Sequence, residues 1–307
     1  MNILIYTHMP NFCFKDGGTV VQYYLAQLLE ELGQNVRICT NNNVNTPNSI
    51  FSKFYNNEFP INDETIVIYC EGTQGNPLNA KKVVRWMLSE LGQNVPKEWV
   101  NTWGKDELVY YFNSERKFCT SPEKFGSIYK LLTVIYMNPY IKQTNFNSRS
   151  GICYTLRKGP LIHKDKLKFV HPINSFEITR QHTQLDYIKI FNTYEYFMCY
   201  DSLTLLSVIS ALCGCITVIY KVDGLNKIDW INTTAFAEYC KYKNDYNIYG
   251  IAYGNDEMEF AKNTIHLFKE QWNEIIEFNK TTTLKSFIDD MQNFDKMINT
   301  INNNYFT

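Results

Sequence analysis

Three short stretches combine residue types and spacings that could carry chemistry. Arg157-Lys158-Gly159 sets two cations beside a glycine. Arginine offers a fixed fork of donors and lysine a point charge, a pairing that neutralises adjacent phosphates, although a solvated basic turn would look the same. Tyr200-Asp201-Ser202-Leu203-Thr204 places an acid and two hydroxyls ahead of a helical pattern. Asp201 or Ser202 could cap that helix, and the Asp201 carboxylate could equally accept hydrogen bonds from the vicinal hydroxyls of a sugar. Gly17-Gly18 follows a short apolar run and opens a helical pattern. Glycines there let the backbone approach a ligand, and a helix N-terminus offers unpaired N–H groups; a plain tight turn is the other reading.

Other stretches carry less. Ser207 to Gly214 is a helix of small residues, Ser207, Ser210, Ala211 and Gly214, which suits close packing or a nearby nucleotide. His8, Asp16 and Glu71 fall at expected strand ends and are the candidate general bases of the first half. Cys213 and Cys215 are spaced CxC without a second cysteine pair or a histidine cluster, so no metal site is assigned. The chain has neither GxGxxG nor GxxxxGK, and no Asp-x-Asp.

The elements that must position these residues alternate between strand and helix. Strands are expected at 2–7, from 36, at 65–70, 107–112 and 131–136, and helices at 20–32 and 79–91. After a polar stretch at 143–150 that could link domains, strands are expected at 151–155, 167–170, 197–200 and 216–220. Helices are expected from 175 and at 203–213. From Asp256 the chain is expected to be helical to about 278, and an amphipathic tail covers roughly 282–303. Such alternation argues α/β architecture with parallel sheets and a ligand cleft at the carboxyl ends of the strands.

Composition bounds the remainder. The 307 residues carry 30 basic and 31 acidic side chains, a net charge of -1, so no global field holds a nucleic acid, and none is expected as a partner. No apolar run is long enough for a transmembrane segment, and the N-terminus does not read as a secretory signal. Nine cysteines, an odd number scattered through apolar runs, fit buried thiols in a reducing, cytoplasmic setting.

The stretch from Tyr200 to Ile219 resembles the nucleotide-sugar-binding segment of glycosyltransferases with two Rossmann-like domains, the GT-B fold. Gly17-Gly18, Gly75 to Ala80 with Arg85-Trp86, and Arg157-Lys158-Gly159 are similar to the same group, over roughly residues 1–255. The resemblance implies two Rossmann-like domains facing a central cleft. Residues 1–150 would bind the acceptor and 151–255 the nucleotide sugar, with 256–307 forming C-terminal helices. It implies transfer of a sugar from a nucleoside diphosphate sugar to an acceptor hydroxyl, in glycan biosynthesis, with no metal and no tightly bound cofactor. Arg157 and Lys158 would offset charge on the leaving diphosphate. Gly17, Gly18, Asp201, Ser202, Thr204 and Ser207 would line the donor. Family members often place a second acid eight residues after the first, where this chain has Ile209. Stereochemistry and acceptor stay open, and a homo-oligomer is allowed. The alternatives are a non-catalytic nucleotide- or sugar-binding relative, or another Rossmann-like nucleotide-sugar enzyme such as an epimerase or dehydrogenase.

Overall fold

The computed structural model describes residues 1–7, 17–40, 52–56, 58–89, 91–92, 94–113 and 130–305. The chain divides into two compact units, Met1–Tyr136 with Phe278–Thr307, and Met137–Glu277.

Unit 1 holds six parallel strands. They are β1 (Asn2–Tyr6), β2 (Asn35–Cys39), β3 (Ile66–Cys70), β4 (Lys82–Met87), β5 (Glu107–Tyr111) and β6 (Lys130–Leu131), in the order β2-β1-β3-β4-β5-β6. β3 and β5 are buried at every position, as the central strands of a covered parallel sheet are, and the one charged side chain among them, Glu107, is paired with Arg85. Helix α1 (Gly17–Glu31) buries Val20, Leu25, Leu28 and Leu29. Gly33, at φ +77°, closes it: the Gln34 N–H donates to the Leu29 carbonyl and the Gly33 N–H to that of Glu30.

The helix expected at 79–91 is instead strand β4. The run Val83-Val84-Arg85-Trp86-Met87 is short and β-branched, and both neighbouring strands pair with it. Periodicity cannot separate strand from helix over so few residues. β3 therefore reaches β4 through a loop. Asn76 Oδ1 braces that loop by accepting from the Tyr69 hydroxyl at 2.8 Å and from the Ala80 N–H at 3.1 Å. The strand expected at 131–136 contributes only Lys130–Leu131 to the sheet.

Unit 2 holds the parallel sheet β11-β10-β9-β7-β8. In chain order its elements begin with β7 (Ile152–Thr155), α2 (Gly159–His163), β8 (Phe176–Glu177) and α3 (Gln184–Thr193). Then come β9 (Tyr196–Cys199), α4 (Leu206–Leu212), β10 (Ile216–Ile219), α5 (Lys227–Asn232) and α6 (Ala237–Lys243). β11 (Ile251–Tyr253), α7 (Met258–Thr264) and α8 (Phe268–Asn279) follow. No strand forms at 167–170, and the helix expected from 175 is the edge strand β8. The helix starts later, where Thr183 and Asp186 form a reciprocal capping box.

The unit boundaries differ from 150 and 256. The polar stretch at 143–150 lies inside unit 2, where Asn192 and Arg149 hold it. Asn192 Oδ1 accepts from the Thr144 N–H at 2.6 Å, and Arg149 donates to the carbonyls of Phe191 at 2.9 Å and Asn145 at 2.8 Å. Buried polar groups of this kind need such partners, so a polar run is not by itself a linker. The C-terminal helices are divided too: α7 and most of α8 belong to unit 2. A π-helical turn at Lys280–Leu284 leads into α9 (Lys285–Gln292), and α10 (Phe294–Tyr305) ends the described chain. Phe287, Met291, Phe294 and Ile301 join Ile3, Leu25, Trp86 and Tyr110 in one core. The buried Asp290 accepts from the Tyr110 hydroxyl and pairs with Lys130 at 2.7 Å.

Candidate functional site

Each sheet has a point where the chain reverses the direction in which it adds strands, and ligands of open α/β sheets bind outside the carboxyl ends of the strands there. In unit 1 that point lies between β1 and β3, in unit 2 between β7 and β9. Arg157-Lys158 follow β7 and Asp201 follows β9, while in unit 1 Glu71 follows β3.

In unit 2 the turns after β7 and β9 touch. A Cβ built on Gly159 would lie 3.0 Å from the Tyr200 carbonyl oxygen and 2.9 Å from its Cβ. Glycine is therefore needed here for closeness of approach. Its effect is to hold Arg157-Lys158 beside Asp201. His163, buried on the short helix α2, makes a 2.9 Å hydrogen bond from Nε2 to the same Tyr200 carbonyl.

Arg157 sits at φ +37°, a left-handed conformation that is uncommon for a residue with a side chain. Strain of this kind concentrates at functional turns. Its guanidinium donates to the Tyr187 hydroxyl at 2.9 Å and lies 5.8 Å from that ring's centre. Its Nε is buried and has no hydrogen-bond partner among the described residues. Lys158 is exposed, and its backbone carbonyl accepts from the N–H groups of Leu161 and Ile162.

Asp201 is 4% exposed. It does not cap the following helix, which starts at Leu206 with no side-chain cap. Asp201 Oδ1 accepts from the Leu203 N–H at 3.2 Å, a local turn, while Oδ2 has no protein partner among the described residues. Thr204 does the helix-side work, its Oγ1 accepting from the Leu206 N–H at 3.3 Å. Burial, and then the neighbouring Asp201 charge, push the Cys199 thiol well up, with Arg157 opposing.

The Ser207 hydroxyl and the Ser202 carbonyl are engaged nearby. Ser207 Oγ donates to the Thr204 carbonyl at 2.8 Å. The Ser202 carbonyl accepts from Trp230 Nε1 at 2.9 Å. The small residues of α4 serve close packing on β10: Ser210 Oγ meets Thr217 Oγ1, which also donates to the Ser207 carbonyl at 3.1 Å. Ile209 is buried in the same helix.

Aromatic partners gave no signal in a sequence this rich in tyrosine. His171 stacks on Tyr154 at 3.7 Å and bonds the Tyr200 hydroxyl through Nδ1 at 2.8 Å. Burial lowers the His171 pKa, against the pull of Glu177. The Tyr200 hydroxyl also accepts from the Val170 N–H, so the segment ahead of β8 is tied to the residue before Asp201.

In unit 1, Gly17 and Gly18 are the first residues of α1. Gly17 is exposed and a Cβ there would meet nothing within 4 Å, so neither space nor backbone angle in the described structure requires glycine. His8 and Asp16 lie outside the described residues. Glu71 follows β3 with both carboxylate oxygens in use: Oε2 accepts from the Leu88 N–H at 2.9 Å, and Oε1 from the Ser89 hydroxyl. It ties the end of β4 to that of β3. Arg85 is wholly buried in β4, with every guanidinium nitrogen engaged by Glu107, Thr73 or Gly75. It belongs to the sheet rather than to a ligand. Among the described residues no group of three or more His, Cys, Asp or Glu is placed to hold a metal ion.

No known family and no curated protein matches the chain. Among solved structures, T4 phage BGT in complex with UDP and Mn2+ is similar at a TM-score of 0.43 and 11% identity, covering 98% of this chain and 99% of that one. T4 phage BGT in complex with its UDP-glucose substrate is similar at 0.41 and 12%, with the same coverage. At such scores the likeness assigns no residue a role, and the site rests on this chain's own geometry.

Proposed function

We propose that the chain transfers a sugar from a nucleoside diphosphate sugar to an acceptor hydroxyl. Unit 2 holds the donor and unit 1 the acceptor, in glycan biosynthesis in the cytoplasm. The observation that carries this reading is the pairing of two complementary groups at one strand-order reversal. Among the described residues, the buried Arg157 Nε has no hydrogen-bond partner and one carboxylate oxygen of Asp201 has none either. A diphosphate answers the first and sugar hydroxyls the second.

The reaction follows from those charges. The acceptor oxygen bonds to the anomeric carbon as the bond from that carbon to the β-phosphate oxygen breaks. The acceptor proton is released, and negative charge grows on the departing diphosphate. Arg157 and Lys158 offset that charge, in the place a divalent metal takes elsewhere. Asp201 orients the donor through its hydroxyls. The resemblance around Tyr200 to Ile219 supports the same assignment.

Titration of the whole chain with uridine, guanosine and adenosine diphosphates, with and without chelator, tests the binding half. Donor hydrolysis tests the chemistry. Binding of no nucleoside diphosphate would remove the proposal, and binding without turnover on any donor and acceptor would reduce the protein to a binding relative. Asp201→Asn should weaken donor binding by about 1 kcal/mol through loss of a charged acceptor. Its stability should hold, because the remaining amide oxygen can still accept from the Leu203 N–H. An unchanged dissociation constant would leave Asp201 a turn residue only.

Gly17→Ala should leave stability within about 1 kcal/mol of the parent, since alanine is the better helix former and finds no clash. Turnover should fall nonetheless, because a methyl group would stand where a ligand approaches the start of α1. Parent-like turnover would make this glycine incidental.

A further inference from the structure

We propose that the segment Gly159 to Ile173 of unit 2 is a membrane-surface contact that docks the protein on an anionic lipid bilayer. This segment leaves four apolar side chains in solvent. Leu161 is 78% exposed, Phe169 63%, Val170 46%, and Ile173 fully. Unit 1, by contrast, exposes only Met1, Leu32 and Ile61 among its large described apolar residues. Phe169, Val170 and Ile173 fall within five residues of one another, and exposed apolar groups clustered in this way mark a contact surface.

The exposure is built in, because the backbone of the segment is fixed to the sheet. The Val170 N–H donates to the Tyr200 hydroxyl at 2.8 Å, and His171 is held by the same hydroxyl and by stacking on Tyr154. The Ser175 N–H donates to the Pro172 carbonyl at 3.0 Å, which closes the turn after Ile173. Downstream, the Ile178 N–H donates to the Tyr154 carbonyl at 2.7 Å. These ties hold the backbone from Val170 to Ile178 in place, with Val170 and Ile173 left in solvent.

Charge identifies the occupant. Lys164, Lys166 and Lys168 are interleaved with the apolar residues and all three are exposed. Lys166 is paired with the exposed Asp223, and Asp165 is the one acid within the segment, so the strip stays net basic. Apolar side chains with a lysine collar match the boundary between acyl chains and anionic headgroups. A nucleic acid would answer the lysines but not Leu161, Val170 and Ile173, since aliphatic groups gain little beside phosphates and gain most in hydrocarbon. No helix among the described residues is long and apolar enough to cross a membrane, and this contact needs none.

The test is co-sedimentation of the whole chain with vesicles of phosphatidylcholine alone or mixed with phosphatidylglycerol. The chain should pellet with the mixed vesicles and stay in solution with the neutral ones. Ile173→Ser should lower partition about tenfold. Because Ile173 is fully exposed, its melting temperature should not change, which keeps the test valid even if Phe169→Ser perturbs the ring contacts of Phe169. Lys164→Gln and Lys168→Gln should each lower partition about fivefold at low salt. Failure of the parent chain to pellet with mixed vesicles overturns the proposal, as does Ile173→Ser pelleting like the parent. Binding of duplex DNA that depends on Lys164 and Lys168, with no vesicle binding, would assign the strip to a nucleic acid instead. The outcome is independent of whether unit 2 binds a nucleotide.

Discussion

Glu107→Ala should cost unit 1 about 3–5 kcal/mol, the loss expected when one partner of a buried ion pair is removed. Glu107 Oε2 lies 2.6 Å from Arg85 Nε and Oε1 3.2 Å from a terminal guanidinium nitrogen, and Oε1 also accepts from the Gly104 N–H at 2.8 Å. Arg85 is wholly buried, and its guanidinium lies 4.8 Å from the centre of the Tyr69 ring and 4.9 Å from that of Trp103. A guanidinium does not shed its proton in a protein, so without Glu107 a full charge would stand in the sheet. Denaturant unfolding of the whole chain, followed by a signal from unit 1, measures the loss. The paired change Arg85→Met with Glu107→Leu should cost much less, because it removes both charges together. A loss below about 1 kcal/mol in Glu107→Ala would mean that water reaches the pair.

Arg157→Ala should weaken donor binding by about 1.5–3 kcal/mol, the range for a hydrogen bond to a charged group. Stability should change little, because the Arg157 side chain makes a single hydrogen bond among the described residues, to Tyr187, and its left-handed backbone angle favours no side chain. Arg157→Lys should fall between parent and alanine, since it keeps the charge and loses the fork. Calorimetric titration with the best nucleoside diphosphate reads all three. If Arg157→Ala binds like the parent, the unsatisfied Nε serves no phosphate and the donor assignment loses its main support.

Much of the framework could be read from the residues because burial imposes a simple pattern. Ile66 to Cys70 is a continuous apolar run and Ile216 to Ile219 is one but for Thr217, and a parallel strand covered on both faces admits little else. Gly33 and Gly214 end helices at positive φ, where other residues are strained. The failures have equally local causes. At 82–87 the apolar spacing satisfied a helix and a strand alike, and only the flanking strands decided between them. At 167–170 a short, mostly apolar run read as a strand, yet it joins neither sheet and shows Phe169 and Val170 to solvent. At 143–150 the polarity that suggested a linker serves a hydrogen-bonded clasp around Asn192. Of the candidate site, the positions of Arg157, Lys158 and Asp201 were readable. Their closeness was not, since it depends on Gly159 resting against Tyr200, which is distant in sequence. The roles of Ser207 and Arg85 in packing were hidden for the same reason.

Unit 1 is discontinuous in sequence, and this bears on the order in which the protein can be made. A chain emerging from a ribosome presents β1 to β6 first, then the whole of unit 2, and only at the end the residues that close the first sheet. Phe287, Met291, Phe294 and Ile301 are absent from the nascent first unit throughout that interval. Unit 2 is continuous, so it can complete its core during synthesis while unit 1 waits with an open apolar face. The first unit to be synthesised is thus the last to be finished, and a nascent chain stalled near residue 277 would be the form most exposed to chaperones and to aggregation.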